Sequence, residues 1–283
     1  MDLPKRKWRI VIYDYEADTV THESHKVMAV SWVYLDEPET ERYLSGWDCL
    51  EKFVAIMLKM RMTIFVAHNG KGYDIPLTKQ EVERQHGFPT KIIYAGTKIM
   101  RMELTRGSLL WLDSVNHISA PLSKLPKIFG FDCSVDNDGV VTVANHQYKK
   151  DDDISHAAER LRIPATTVAE LAEGINAGAG NAVRKGFWPY RFPFSPGYIG
   201  RLPPPELFCM ANKSAKEVEE FNAWYERGRK TVWDFDKEME AYCRNDTRVL
   251  AAAISAFVKR SLELTQMNAM TFTTTASFVQ AVY

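Results

Sequence analysis

The stretch WRIVIYDYEADT, residues 8 to 19, constrains the chain more than any other. Six of its first eight residues are apolar or aromatic, the mark of a buried strand, and its far end carries two carboxylates, Asp14 and Glu16. Side chains along a strand alternate between faces, so both acids point the same way as Ile10 and Ile12. Two like charges at the end of a core strand are costly unless something positive sits between them. The chain therefore needs a cation beside its first strand.

The segments after this strand supply the rest of a sheet. KVMAVSWVYL and ERYLSGW are expected to be strands separated by a polar turn at DEPET, giving a meander of three. In WDCLEKFVAIMLKM, Leu50, Phe53, Val54, Met57 and Leu58 fall at helical spacing. TIFVAH is expected as a fourth strand, and IPLTKQEVERQHG as a helix stopping at Gly87 before Pro89. KIIYAG, KIMRMEL and SLLWLDS add three short strands. Strands first, then a helix crossing to another strand, indicate an α/β fold with a mixed sheet flanked by helices.

From residue 131 to 184 the character changes, with a charge run at KKDDDIS and a small-residue connector at INAGAGNAV, and we treat this stretch as an insertion. Within it, AAERLRIPATTVAEL has helix-turn-helix core spacing, but Arg162 stands where a turn glycine is expected; two short amphipathic helices without a DNA role are the preferred reading. KGFWPYRFPFSPGYIGRLPPPELF is expected to be an ordered loop. The last long element, DFDKEMEAYCRNDTRVLAAAISAFVKRSLEL, repeats its apolar residues with a 3.6-residue period and places Tyr242 and Asp246, four apart, on the core face near its start.

Bulk properties narrow the function classes. Lys plus Arg equal Asp plus Glu at 36 each, so any polyanion would have to be met by a local patch, for which KIIYAGTKIMRMELTR and Lys71 are candidates. The four cysteines show no zinc or disulfide spacing, and a reducing compartment fits them best. Without a targeting signal or a run of about 18 apolar residues, the chain is expected to be soluble and intracellular, with no membrane partner.

Four acids thus stand at element boundaries: Asp14, Glu16, Asp74 at the end of HNGKGYDIP, and Asp246. Hard oxygen donors of this kind suit Mg²⁺ or Mn²⁺. Four carboxylates are enough for two such ions about 3.5–4 Å apart, the arrangement that clamps the attacking and leaving oxygens in phosphodiester cleavage.

In this combination and order, the motifs resemble the 3′-5′ exonuclease domain of protein-primed family B DNA polymerases, within the DEDD exonuclease superfamily and its RNase H-like fold. DYE is similar to that family's first exonuclease motif, HNGKGYD to the second and YCRND to the third, while LDSVNHISAPLSKLPKIFGF and KGFWPYRF are similar to its connecting motifs. The resemblance implies an RNase H-like core over residues 1–130 and 185–265, an inserted small subdomain over 131–184, and a C-terminal extension over 266–283 similar to the start of a polymerase palm region. It implies Asp14, Glu16, Asp74 and Asp246 as ligands of two Mg²⁺ or Mn²⁺ ions, Tyr242 as the residue orienting the attacking water, and Lys185 near the scissile phosphate. His68, Asn69, Tyr73, Ser114 and Val115 would hold the 3′-terminal nucleotides, and Tyr73 would grip a base of any identity by stacking. Ala17 stands where the family usually has threonine.

The implied activity is release of nucleoside monophosphates from single-stranded 3′ ends, DNA favoured, in a proofreading role if a polymerase domain lies in cis in a longer parent chain. Two alternatives stay open: an exoribonuclease of the same fold, and a non-catalytic nucleic-acid-binding module.

Overall fold

The computed structural model describes residues 8–21, 24–104, 108–129, 133–135, 141–143, 146–148 and 186–283. The opening strand is β1 (Arg9–Asp18), followed by β2 (Lys26–Tyr34) and β3 (Glu37–Ser45) as an antiparallel meander. The turn expected over DEPET is shorter, at Leu35 and Asp36, and Glu37 already belongs to β3. Tertiary partners explain the difference: Glu37 ion-pairs with Arg9 at 2.8 Å, and Leu35 donates its N–H to the Ile10 carbonyl.

Helix α1 (Cys49–Met57) crosses to β4 (Thr63–Ala67), and a tight turn leads into α2 (Asp74–Gln85). Then come β5 (Lys91–Ala95), β6 (Lys98–Leu104), β7 (Leu109–Asp113) and α3 (Leu125–Phe129). Short strands β8 (Cys133–Val135), β9 (Val141–Val143) and β10 (His146–Tyr148) pair with one another. The remainder of 131–184, with the expected helices around Arg162, lies outside the described residues. Farther on, β11 (Ile199–Gly200) pairs with β12 (Trp233–Asp234), separated by α4 (Ala215–Gly228). The 31-residue α5 (Phe235–Thr265) and α6 (Thr275–Val282) complete the chain.

The main sheet runs β3-β2-β1-β4-β7-β6-β5, with β4 parallel to both β1 and β7 and every other pairing antiparallel. This is the α/β mixed sheet expected. The period-two rule sorts its central strands between two cores: Ile10, Ile12, Ile64 and Leu112 pack under Val249, Leu250 and Ile254 of α5, while Val11, Tyr13, Phe65 and Trp111 face α1 and α2. Phe65 and Trp111 stack at 5.0 Å, both inaccessible to solvent, and truncating either to alanine would cost about 3–5 kcal/mol. A third cluster, rich in aromatics, joins Trp188, Phe208, Phe221, Trp233 and Phe235 to the start of α5.

Met270 is fully buried in the α5 core, and Arg101 and His117 bond the carbonyls of Thr271 and Phe272. Among the described residues, no helix is long and apolar enough to cross a membrane.

Candidate active site

Asp14 and Glu16 lie on the α5 side of β1, as the alternation from Ile10 and Ile12 requires; Asp14 is half-buried and Glu16 buried. Just beyond them the ladder to β2 slips, with Glu16 opposite Ala29 and Ala17 opposite Val27. The extra residue, Met28, lets two successive side chains of β2 reach the aromatic cluster.

Opposite Asp14 on β2 stands Ser31. Its buried hydroxyl and that of Thr247 bond each other and lie 3.0 and 3.2 Å from the Cys243 carbonyl, which accepts from whichever hydroxyl keeps its proton free. These bonds seat the early turns of α5 against the acidic end of β1. The Cys243 thiol donates to the Asp14 carbonyl at 3.7 Å, and its sulfur and one oxygen from each of Asp14 and Glu16 lie within 4.8 Å of one another. Burial pushes this thiol well above its ordinary pKa, and the carboxylates of Glu16, Asp14 and Asp246 push it further. Two of the four expected acids thus lie beside one buried thiol, and Asp246, on the same helix, is 2% exposed.

Tyr242, one turn before Asp246, stacks on Trp188 at 5.4 Å, and its hydroxyl lies 2.6 Å from that of Tyr190. A side chain at residue 186 would press on its ring, because a Cβ on Gly186 would sit 3.3 Å from Cδ2. Burial, then Asp246, Tyr190 and Glu16, raise the Tyr242 hydroxyl well above the usual tyrosine range, so it stays protonated at any working pH.

The fourth acid arrives by a different route. After β4, Asn69 adopts a left-handed conformation (φ 58°) and the chain makes a single turn over Gly70–Gly72. Gly70 is needed there, since a Cβ would lie 2.8 Å from that of Ala67 and 3.5 Å from an Asp74 carboxylate oxygen. Asp74, 5% exposed, opens α2; Thr78 donates to its carbonyl at 2.8 Å and bonds the Tyr15 hydroxyl of β1 at 2.8 Å. Burial, then the neighbouring Asp74 and Glu16, push the Tyr73 hydroxyl up to about 12. The same hydroxyl bonds His25 at 3.1 Å.

Of the other expected residues, His68 bonds the buried Ser114 hydroxyl at 2.8 Å, Asn69 is exposed, and Val115 is half-buried with its N–H on Asp113. Lys185 lies outside the described residues. Lys71 does not join a surface patch, because its ammonium turns inward, 18% exposed and 3.9 Å from the Asp113 carboxylate. Arg101 is likewise engaged, with Glu103 at 2.5 Å.

Sequence reasoning missed four residues here: Cys243, His25, Asp113 and Asp18. Asp18 is 2% exposed; although burial alone would raise its pKa, bonds from the Thr21 hydroxyl and from the N–H groups of Thr21, Val20 and Phe194 hold it down to about 2. It thereby ties the loop carrying Trp188 and Tyr190 to the end of β1. Asp14 and Glu16 form the carboxylate-rich group that the geometry brings together here, and carboxylate oxygens are donors of the kind hard divalent ions prefer.

No family model and no curated protein matches this chain. Among solved structures, it is similar to Phi29 DNA polymerase complexed with primer-template DNA and incoming nucleotides, at 14% identity and a TM-score of 0.48, over 91% of this chain and 32% of that one. It is also similar to the family B DNA polymerase of Pyrobaculum calidifontis (16% identity, TM-score 0.31, 59% of this chain and 21% of that one). A third is E. coli Exonuclease I in complex with a dT13 oligonucleotide (10% identity, TM-score 0.28, 48% and 34%). The chain thus spans about a third of the length of the Phi29 polymerase that it resembles.

Proposed function

We propose that the protein is a divalent-metal-dependent 3′-5′ exonuclease that releases nucleoside monophosphates from single-stranded 3′ ends, with DNA the favoured substrate. The observation that supports this reading is the convergence of Asp14 and Glu16 on α5, one oxygen of each within 4.8 Å of the other and of the Cys243 sulfur, with buried Asp246 on the same helix and buried Asp74 opening α2. Glu16 acts on both the Cys243 thiol and the Tyr73 hydroxyl, which supports taking the four acids as one pocket.

In this reading, Asp14, Glu16, Asp74 and Asp246 hold two Mg²⁺ or Mn²⁺ ions. When bound, such ions supply an activated water and offset the charge on the departing 3′ oxygen. The side chains do the positioning. Tyr242, kept protonated and braced by Trp188 and Tyr190, offers a fixed hydroxyl to the attacking water. Tyr73, held by His25 beside Asp74, presents an aromatic face on which a terminal base stacks regardless of identity. His68, Asn69 and Val115 would contact the terminal nucleotides, with the buried Ser114 hydroxyl holding His68 in place, and Lys185 would offset phosphate charge. No side chain need act as general base.

The deciding experiment is a gel assay on 5′-labelled single-stranded DNA and RNA oligonucleotides with Mg²⁺, Mn²⁺ or EDTA. The expected result is a ladder shortening from the 3′ end, faster on DNA, absent with EDTA and restored by either ion. Cleavage indifferent to chelation would overturn the metal mechanism. Preference for RNA would reassign the substrate, and binding without cleavage would leave a nucleic-acid-binding module.

A further inference from the structure

Asp113 ends β7 directly opposite Ala67, the last residue of β4. Its side chain is wholly inaccessible to solvent, an expensive place for a carboxylate, yet it is well provided with donors. One oxygen accepts the Val115 N–H at 2.8 Å and caps the short turn Ser114–Asn116. The other accepts the Lys71 N–H at 3.1 Å and lies 3.9 Å from the Lys71 ammonium. One carboxylate thus joins the turn after β7 to the middle of the turn after β4. The His68–Ser114 bond runs beside it as a second tie between the same two segments.

The Gly70–Gly72 turn sets where Tyr73 and Asp74 stand, because Gly70 already sits against Ala67 on one side and Asp74 on the other. We infer that Asp113 is a positioning residue: through Lys71 it fixes the 69–73 turn and thereby the grip on the terminal nucleotides. This role rests on the exonuclease reading. It assigns Lys71 to the interior architecture of the site and not to contact with the substrate backbone.

The substitution Asp113→Asn keeps the shape and an acceptor for the Val115 N–H but removes the charge that holds the Lys71 ammonium. With the full chain, Mg²⁺ and a single-stranded 3′-hydroxyl oligonucleotide, Asp113→Asn is expected to raise KM about tenfold while kcat stays within about threefold. Hydrogen exchange at the amides of residues 69–73 should accelerate while that of Leu109–Leu112 does not. Leu125→Ala, a core substitution away from the turn, controls for lost stability and should leave KM unchanged.

If Asp113→Asn leaves both KM and the exchange of 69–73 unaltered, or if Leu125→Ala raises KM equally, the positioning role is wrong and the exonuclease reading stands. If the wild-type chain neither cleaves nor binds the oligonucleotide, the exonuclease reading fails and the substrate-gripping role falls with it. The exchange arm would still show whether Asp113 holds the turn.

Discussion

The hydroxyls of Tyr190 and Tyr242 meet at 2.6 Å, one ring 41% exposed on a loop and the other buried on α5. Because burial and the neighbouring acids keep Tyr242 protonated, its contribution to turnover should show no alkaline limb in the working range. Tyr242→Phe should lower kcat about 100-fold with little change in oligonucleotide affinity, and Tyr190→Phe, which removes only the brace, several-fold, roughly 3–10. Steady-state kinetics and anisotropy binding measure both. A Tyr242→Phe enzyme as fast as wild type would remove this hydroxyl from the chemistry.

Crowded carboxylates repel one another until a cation joins them. Saturating Mg²⁺ or Mn²⁺ should therefore raise the melting temperature by roughly 5 °C over EDTA. In the double substitution Asp14→Asn with Glu16→Gln, that shift and the cleavage should both disappear, while the metal-free melting temperature stays level or rises. Differential scanning calorimetry in the two buffers tests this. A double variant that still responds to Mg²⁺ would place the ions elsewhere.

Asp18 predicts a pH dependence whose direction is fixed. Its folded pKa of about 2 lies below the ordinary 3.8, so its ionised form stabilises the native state above the unfolded value. That contribution, about 2 kcal/mol, is lost as pH falls from 3.8 through about 2. Urea unfolding should show Asp18→Asn less stable than wild type at pH 7, with the gap narrowing steadily below pH 4. A gap constant down to pH 2.5 would mean that the carboxylate's charge plays no part.

Ser31 and Thr247 form a buried polar clasp between β2 and α5. Thr247→Val leaves the Ser31 hydroxyl short of a partner and should cost about 1–3 kcal/mol. Combining it with Ser31→Ala should cost less than the sum of the two single changes. Additive losses in equilibrium unfolding would show that the clasp does not act as a unit.

Features governed by local periodicity were legible in the sequence. The alternation along β1 announced both the buried strand and the face on which Asp14 and Glu16 stand, and the 3.6-residue period of α5 put Tyr242 and Asp246 together. Features governed by distant partners were not. Asp18 looks like a solvated strand end until the Phe194 amide, 176 residues away, is folded onto it. Lys71 looks like a surface cation until β7 brings Asp113 beneath it. Cys243 has no ligand-like spacing to any neighbour, and only the crossing of α5 over β1 sets it between Asp14 and Glu16. Helix α4 is a different case: it is not among the elements expected from the sequence, although Ser214 and Glu217, which form a reciprocal capping box, carry a local signal for its start, with Phe221 one turn on as its buried anchor.

The length of α5 carries one more consequence. At about 1.5 Å per residue its 31 residues extend roughly 46 Å, with Tyr242, Cys243 and Asp246 in the first half and Val249, Leu250, Ala253 and Ile254 following on the same side. In the proposed function, a single rod thus carries site residues in its first half and core packing before and after them. Under that function, damage confined to Tyr242 or Asp246 should yield folded but silent molecules, whereas damage past Val249 should yield fewer molecules, each still competent.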